Sequence, residues 1–316
     1  MRRLWTALAA FGALTAQAPA PERPPSPTGA ELRARYALPA SRFVEIDGET
    51  VHYVVEGRGP AILLLHGSFA SLRQWDAWAE RLRGRYTVIR YDQSPMGLSV
   101  PHPNADYSIE HRFRIIDALA GIAGAKRFLI VGTSSAGVPT AAYAAANPER
   151  VTGVILNNIA VGPVQFDMAG LPQALKDALA DDARHPAYHM PEYWRQILLH
   201  NVTDISAVTP ALVEEWTLLN NRVLEFPGAA MAAARSTPTS RTPDDLPRIA
   251  APTMLLWSAD DHETRLDREG AKAIELVGAK DKQMVVVDRC GHMMPLDCPE
   301  RALEKALPFI ARVAHD

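Results

Sequence analysis

The stretch Phe128-Leu-Ile-Val-Gly-Thr-Ser-Ser-Ala-Gly137 is the part of the sequence that decides the fold. Its first four residues are apolar and mostly branched, which is typical of a strand buried on both faces of a sheet. Small residues follow from Gly132, and a helical pattern begins near Val138, with Pro139 suited to a first helical turn. A strand that turns directly into a helix places the residue at the corner, here Ser134, in a strained backbone conformation with its side chain exposed.

Alternating strand and helix patterns surround this stretch. After an opening hairpin at Asp47-Gly48, strands alternate with helices as far as Leu156, which favours a mostly parallel sheet with helices on both faces. Only helical patterns occur between residues 162 and 247, and strands return at 253–257 and 283–287 before a closing helix. We therefore predict an α/β fold with a mostly parallel eight-stranded sheet and an all-helical cap over one sheet edge. The predicted boundaries are 41–161 and 248–316 for the two parts of the core and 162–247 for the cap.

Two later loops carry the partners that a serine nucleophile needs. A serine hydroxyl is a poor nucleophile near neutral pH, so it requires a base for its proton and a carboxylate that orients this base. Asp261 follows the strand that ends at Trp257, and His292 lies in a loop after the strand that ends at Val287. The carboxyl ends of parallel strands meet at one edge of the sheet, where ligands bind. The order Ser134, Asp261, His292 therefore predicts a catalytic triad.

Five local matches together carry a resemblance to one family. The sequence from about Arg42 to its C-terminus resembles an α/β-hydrolase-fold serine hydrolase with a helical cap, of the esterase type. The matching segments are His66-Gly67, Asp92-Gln-Ser-Pro-Met-Gly-Leu-Ser99, Gly132-Thr-Ser-Ser-Ala-Gly137, Pro252-Thr-Met-Leu-Leu-Trp-Ser-Ala-Asp-Asp261 and Gly291-His-Met-Met-Pro-Leu-Asp-Cys-Pro-Glu300. The chain departs from the family at Ala136, which replaces the last glycine of the G-x-S-x-G elbow. The loop after Asp92 also lacks the family's usual arginine and first glycine and carries Gln93 and Ser94 instead.

The resemblance implies roles for the predicted triad. Ser134 is expected to be the nucleophile, His292 the base and Asp261 the orienting acid. Asp261 is favoured over Asp260 because the family usually places this acid four residues after the aromatic residue of the strand. Some members carry the acid after the preceding strand, but this chain has only asparagines there, at 157 and 158.

The resemblance also implies how the oxyanion and the substrate are held. The backbone amides of Ser68 and Ser135 are expected to form the oxyanion hole, with the amide of Phe69 as a substitute donor. His66 and Asp92 are expected to hold loops rather than to transfer protons. The predicted substrate contacts are Phe69, Trp194, Trp216 and Met293.

The N-terminus has the layout of a secretory signal peptide. Two arginines precede an apolar stretch from Leu4 to Ala16, and Ala-x-Ala sites follow, although proline after each site is unfavourable for cleavage. We predict a signal peptide or anchor in 1–20 and a proline-rich linker in 21–40. The protein is therefore expected to be secreted or periplasmic, with a cytoplasmic location as the alternative. The pairing of Cys290 with Cys298 as a disulfide remains open.

The bulk composition excludes several partners. A formal net charge of -3 over 316 residues, without a basic cluster, argues against nucleic acid as a partner. No apolar run reaches the ~20 residues that span a bilayer as a helix. His185 and His189 are spaced as metal ligands could be, but prolines interrupt that helix, so we predict surface histidines and no metal site. A homodimer is left open.

The favoured hypothesis is a serine hydrolase that cleaves a carboxylic ester through an acyl-enzyme, on a small-molecule substrate and without a cofactor. The same scaffold supports other chemistry, namely C–C bond hydrolysis, cofactor-free perhydrolysis of the haloperoxidase type and hydroxynitrile cleavage. A non-catalytic receptor that keeps the fold is a third hypothesis, from another functional class.

Overall fold

A single mixed sheet organises the molecule, which is known from a computed structural model that describes residues 26–163, 168–236 and 238–315. The strand order is β1-β2-β4-β3-β5-β6-β7-β8, and β2 runs antiparallel to both of its neighbours while the other pairs are parallel. The strands are β1 (Arg42–Ile46), β2 (Glu49–Gly57), β3 (Ala61–Leu65), β4 (Thr87–Tyr91), β5 (Phe128–Thr133), β6 (Val151–Asn157), β7 (Thr253–Ser258) and β8 (Lys282–Val287). The predicted eight-stranded sheet is thereby confirmed.

The central strands are buried because helices cover both faces of the sheet. All five residues of β3 are buried, and they alternate between two hydrophobic clusters. Ala61, Leu63 and Leu65 face one cluster, whereas Ile62 and Leu64 face the other. This two-sided burial explains why the strand reads as a continuous apolar run rather than as an alternating one.

The helices fall into a set that covers the sheet and a set inserted between β6 and β7. The helices are α1 (Gly29–Tyr36), α2 (Asp76–Leu82), α3 (Ile109–Ile122), α4 (Gly137–Ala146), α5 (Gln173–Asp182), α6 (Pro191–His200), α7 (Pro210–Val223), α8 (Pro227–Ser236), α9 (Thr242–Asp245), α10 (Ala271–Leu276), α11 (Met294–Asp297) and α12 (Pro299–Val313). The insertion contains α5 to α9 and no strand among the described residues. Helical segments therefore occupy the region predicted to be the cap.

One helix occupies part of the segment predicted to be a linker. The helix α1 begins after Thr28, whose side chain forms a capping box with Glu31. Its buried residues Leu32 and Tyr36 join a cluster with Leu98 and Leu219. The prediction of a linker was therefore wrong for 29–36, because two apolar residues four apart are enough to dock this turn of helix.

The predicted signal peptide lies outside the described residues, and so do residues 21–25 of the predicted linker. Within the parts of the chain that the structure covers, no helix is both long enough and apolar enough to cross a bilayer.

Candidate active site

Ser134 occupies a sharp corner between β5 and α4. Its φ of 52° lies in the left-handed region, which costs a residue with a side chain about 1 kcal/mol or more. The corner closes tightly, since a Cβ added to Gly132 would lie 2.1 Å from Oγ1 of Thr140. A Cβ on Gly137 would lie 2.4 Å from Cγ2 of Ile159. Small residues at 132 and 137 are therefore a condition of the turn, and Ala136 is tolerated between them.

The three residues predicted to form a triad are in contact. Nε2 of His292 lies 2.9 Å from Oγ of Ser134, and Nδ1 of His292 lies 2.8 Å from Oδ2 of Asp261. The loops after β5, β7 and β8 supply one residue each, so the carboxyl edge of the parallel strands assembles the group, as the sequence predicts. This chain of contacts can pass a proton from the serine hydroxyl to the imidazole.

Asp261 is fixed by its own loop. Its Oδ1 accepts hydrogen bonds from the backbone N–H of Glu263 and of Thr264, both at 2.8 Å, and Oδ2 accepts one from Oγ1 of Thr264 at 2.8 Å. The side chain of Asp261 is buried, whereas Asp260 is exposed. The loop therefore presents Asp261, and not Asp260, to the imidazole.

The electrostatic surroundings favour a protonated His292. Burial lowers the pKa of His292, but the negative charges of Asp261 and Glu263 outweigh this effect and raise the pKa to about 9. These charges therefore favour the imidazolium form of His292, and the neutral base becomes more populated as the pH rises.

Glu263 is a neighbour of this site that sequence reasoning missed. Its Oε2 lies 3.5 Å from Nε2 of His292, the same nitrogen that faces Ser134. Its side chain is 28% exposed. The only sequence signal for it is its place two residues after Asp261, in a loop whose backbone turns back towards the histidine.

Asn158 is a second residue whose contact with the histidine loop was missed. It follows β6, has a φ of 45°, and its Nδ2 donates to the carbonyl oxygen of His292 at 3.0 Å and to Oγ of Ser258 at 2.8 Å. Its Oδ1 accepts the N–H of Ser258 at 2.8 Å, and its carbonyl oxygen lies 3.0 Å from Oγ1 of Thr264. Asn158 thus connects the histidine loop to the acid loop and to β7.

The histidine loop is further held by a disulfide and a carboxylate. Cys290 and Cys298 are bonded, which settles the pairing that the sequence left open. Asp297 accepts hydrogen bonds from the N–H of Gly291 at 2.6 Å and from the N–H of Thr203 at 2.9 Å. The loop therefore has anchors on both sides of His292, and one of them comes from the helical insertion.

The two loops predicted to form an oxyanion hole meet beside Ser134. The hydroxyl of Ser68 donates to the hydroxyl of Ser135 at 2.9 Å. Phe69 has a φ of 62°, and its N–H donates to the sulfur of Met96 at 2.9 Å. Since the amide of Phe69 is engaged in this way, Ser68 and Ser135 are the better candidates for holding an oxyanion.

The four predicted substrate contacts lie at the junction of the insertion and the core. The ring centroids of Phe69 and Trp194 are 5.3 Å apart, and those of Trp194 and Trp216 are 5.7 Å apart. Trp194, Trp216 and Met293 are buried in one cluster, whereas Phe69 is 53% exposed. The two tryptophans thus pack the junction, Phe69 projects from it, and substrate contact by these residues remains a prediction.

A second Ser–His–Asp arrangement lies next to the first strands. Oγ of Ser41 lies 2.7 Å from Nε2 of His52, and Nδ1 of His52 lies 2.7 Å from Oδ2 of Asp92. Asp92 also accepts the N–H of Leu72 and of Leu98, both at 2.6 Å. Burial raises the pKa of Asp92, but His52 and these donors more than reverse this and hold it below its usual range. Asp92 therefore organises its loop, as predicted.

His66 also has the structural surroundings that were predicted for it. Its Nδ1 donates to the carbonyl of Gly67 at 2.8 Å, and its Nε2 accepts the N–H of Gln93 at 2.8 Å. The side chain of Gln93 donates in turn to the carbonyl of His66. Gln93 thus ties the loop after β4 to the loop after β3.

His189, one of the two histidines spaced four apart in the insertion, contacts residues close to it in the chain. Nδ1 of His189 lies 2.7 Å from Oδ1 of Asp182, and the ring stacks on Tyr193 with centroids 4.6 Å apart. Across the described residues, no group of three or more histidine, cysteine or acidic side chains is arranged to hold a metal ion.

Residues 62–306 match the profile of the alpha/beta hydrolase family. This chain is a member of that family. A 2-hydroxy-6-oxononadienedioate/2-hydroxy-6-oxononatrienedioate hydrolase of Paraburkholderia xenovorans (strain LB400) is 28% identical over 284 residues, which is 86% of this chain and 95% of that protein. A membrane phospholipase A described as a bacterial virulence factor has a TM-score of 0.64 and 25% identity, with 86% of each chain covered. A thermophilic esterase of Thermogutta terrifontis has a TM-score of 0.68 and 21% identity, with 86% of this chain and 99% of the other covered.

Proposed function

We propose that this alpha/beta hydrolase cleaves a carboxylic ester through an acyl-enzyme formed on Ser134. The observation that carries the proposal is the unbroken contact from Oγ of Ser134 to Nε2 of His292 at 2.9 Å and from Nδ1 to Oδ2 of Asp261 at 2.8 Å. The strained corner at Ser134 supports it further, since backbone strain of this kind concentrates where a side chain must be presented to a ligand.

In the proposed mechanism, Oγ of Ser134 attacks the ester carbonyl while Nε2 of His292 takes the hydroxyl proton. The buried carboxylate of Asp261 holds the imidazole and stabilises the imidazolium that forms. The amides of Ser68 and Ser135 stabilise the oxyanion, and each such donor contributes about 3 kcal/mol to lowering the barrier. His292 then protonates the leaving alcohol, and a water molecule activated by His292 releases the acid and restores Ser134.

Hydrolysis of a C–C bond is the second candidate function. It is favoured by the similarity to the Paraburkholderia hydrolase, which covers most of both chains. Turnover of a panel of substrates distinguishes ester hydrolysis from C–C bond hydrolysis. Turnover of p-nitrophenyl esters of graded acyl length supports ester hydrolysis. Inactivity on every ester, together with cleavage of a vinylogous 1,5-diketone, would instead establish the C–C reaction.

A fluorophosphonate probe on the intact protein tests whether Ser134 is the nucleophile. We expect one label per chain, and no label on Ser134→Ala. The matched control is Ser41→Ala, because Ser41 also contacts an imidazole that contacts a carboxylate. Labelling of Ser41→Ala at the wild-type rate supports the proposal. Loss of the label in Ser41→Ala, or its persistence in Ser134→Ala, contradicts it, and an unlabelled wild type favours a receptor.

We also propose that the protein works outside the cytoplasm. The buried disulfide between Cys290 and Cys298 supports this location, because disulfides persist in oxidising compartments. N-terminal sequencing of the protein from periplasm and culture medium tests the proposal. A mature N-terminus between residues 16 and 28 is expected, and an intact Met1 found only in the cytoplasm would contradict it.

A further inference from the structure

The feature with a consequence beyond the triad is the carboxylate of Glu263. Triad chemistry uses one carboxylate on the histidine, at Nδ1, and leaves Nε2 to the serine. Here Nε2 of His292 has two neighbours, Oγ of Ser134 at 2.9 Å and Oε2 of Glu263 at 3.5 Å. The histidine therefore lies between two carboxylates, one at each ring nitrogen.

The position of Glu263 is set by its backbone. Its N–H donates to Oδ1 of Asp261 at 2.8 Å, and the following Thr264 bonds to both oxygens of the same carboxylate. The turn that holds the orienting acid therefore also directs the next carboxylate towards the imidazole. Among the described residues, no lysine or arginine lies within ion-pair distance of Glu263, so His292 is its cationic partner.

The remaining titratable groups near this pair come from the acid loop and from the insertion. The ring of His262, next to Glu263, stacks on the ring of His200 at the end of α6, with centroids 5.7 Å apart. Burial, and then the proximity of His262, lowers the pKa of His200. Glu263 acts in the opposite direction but is outweighed, so these effects favour a neutral His200, which then adds little positive charge against Glu263.

We propose that Glu263 is a positioning residue. Its carboxylate accepts a hydrogen bond from the Nε2–H group of the His292 imidazolium and thereby sets the pH range in which the site works. The kinetic part of this statement rests on the proposed function, since it requires His292 to be the base. The pairing itself does not depend on it.

Two effects on the reaction follow from the pairing. In the resting enzyme Glu263 holds the proton on Nε2, so that less of the neutral base is present at neutral pH. During attack the imidazolium forms again, and the same carboxylate stabilises it next to the developing oxyanion. Removal of the negative charge of Glu263 is therefore expected to extend activity to lower pH and to reduce the limiting rate at high pH.

NMR titration of the histidine ring tests the pairing without any assay of turnover. The protein is labelled with 13C at Cε1 of histidine, and the His292 signal is assigned by its loss in His292→Asn. We expect the titration midpoint of His292 to fall by about one pH unit in Glu263→Gln, because an opposite charge at this distance shifts a histidine by one unit or more. Glu263→Asp, with a shorter side chain, is expected to give an intermediate midpoint.

The pH dependence of fluorophosphonate labelling tests the kinetic part. The labelling rate is expected to rise with pH as neutral His292 forms. In Glu263→Gln this rise should move to lower pH by the same amount as the NMR midpoint. The matched control is Asp260→Asn, which removes a charge from the same loop where the side chain is exposed. Because solvent screens this exposed charge, the labelling rate of Asp260→Asn should rise within about 0.3 pH units of the wild type.

The two experiments together distinguish failure of the Glu263 pairing from failure of the proposed function. A His292 midpoint that stays within about 0.3 pH units of the wild type in Glu263→Gln overturns the proposal, whatever the labelling shows. If the His292 midpoint falls in Glu263→Gln but no fluorophosphonate labels the wild-type protein, the pairing is supported and the proposed hydrolase function is contradicted. A midpoint that falls equally in Asp260→Asn overturns the specific role of Glu263 in favour of a general effect of loop charge.

Discussion

Two Ser–His–Asp arrangements with nearly the same distances occur in this chain. Ser134, His292 and Asp261 are linked at 2.9 and 2.8 Å, and Ser41, His52 and Asp92 are linked at 2.7 and 2.7 Å. In each, the imidazole is buried and its Nδ1 faces a buried carboxylate that also accepts two backbone N–H groups. Hydrogen-bond distances alone do not distinguish them.

The surroundings of the two serines distinguish the arrangements. Ser134 lies at a strained corner on the carboxyl edge of the sheet, beside the loop of Ser68. The hydroxyl of Ser41 instead accepts the N–H of Leu38 at 2.8 Å, and the ring of Phe43 stacks on His52 with centroids 4.9 Å apart. The same three side chains can therefore hold a loop together or form a reactive site, depending on the backbone around the hydroxyl.

Matched substitutions of the two aspartates are expected to give the largest contrast. Asp261→Asn should lower kcat about 10⁴-fold, because the amide favours the wrong imidazole tautomer. Asp92→Asn should lower the free energy of unfolding by about 3 kcal/mol, because it disrupts a buried pair and two backbone contacts. Ester turnover and urea unfolding measure the two effects. Equal losses of kcat in both variants would break the distinction between the arrangements.

Asn158→Ala is expected to have an intermediate effect. It removes the bonds that tie the histidine loop to β7, so His292 loses its alignment, and kcat should fall about 10- to 100-fold. Asn157→Ala is the control, because neither side-chain nitrogen nor oxygen of this buried neighbour has a partner among the described residues. A similar loss of kcat in both variants would show that general packing after β6, and not the bond to His292, matters.

The smallest effect concerns the charge of the substrate, since only the arrangement at Ser134 has a carboxylate at Nε2. A substrate with its own carboxylate near the scissile bond should be repelled by Glu263. The ratio of kcat/KM for mono-p-nitrophenyl glutarate to that for p-nitrophenyl butyrate should rise about 10-fold in Glu263→Gln. An unchanged ratio would mean that acyl groups bind away from Glu263.

The sequence predicts the sheet and the triad contacts because both depend on local signals. Apolar runs mark β3, β5 and β7, and the residues that follow these strands must reach the same sheet edge. Ser134 directly follows β5, Asp261 lies in the loop after β7, and His292 lies in the loop after β8. Their convergence required no knowledge of side-chain packing.

Asn158, Glu263 and His52 could not be predicted, because their contacts depend on how distant loops approach one another. Asn158 lies 134 positions from the carbonyl that it binds, and its place after β6, where some family members carry the acid, does not indicate this contact. Helix α1 was missed for a similar reason, since its stability comes from packing on Leu98 and Leu219. The segment Leu266–Gly270 is a π-helix, a winding that the apolar pattern of the sequence does not reveal.

A short segment of the insertion, residues 201–204, binds the backbone and Asp297 of the histidine loop, and this has a consequence for protein engineering. The N–H of Met293 donates to the carbonyl of Asn201, and Asp297 binds the backbone of Thr203 and Asp204. Gly291 packs so closely there that an added Cβ would lie 2.6 Å from that carbonyl of Asn201. A chimaera that replaces the inserted helices but keeps residues 201–204 would retain these backbone contacts of the histidine loop, provided that the new helices also pack on Met293. If the insertion lines the substrate site, as we predict, such an exchange would transfer substrate range between homologues as a cassette, without rebuilding the chemistry beneath it.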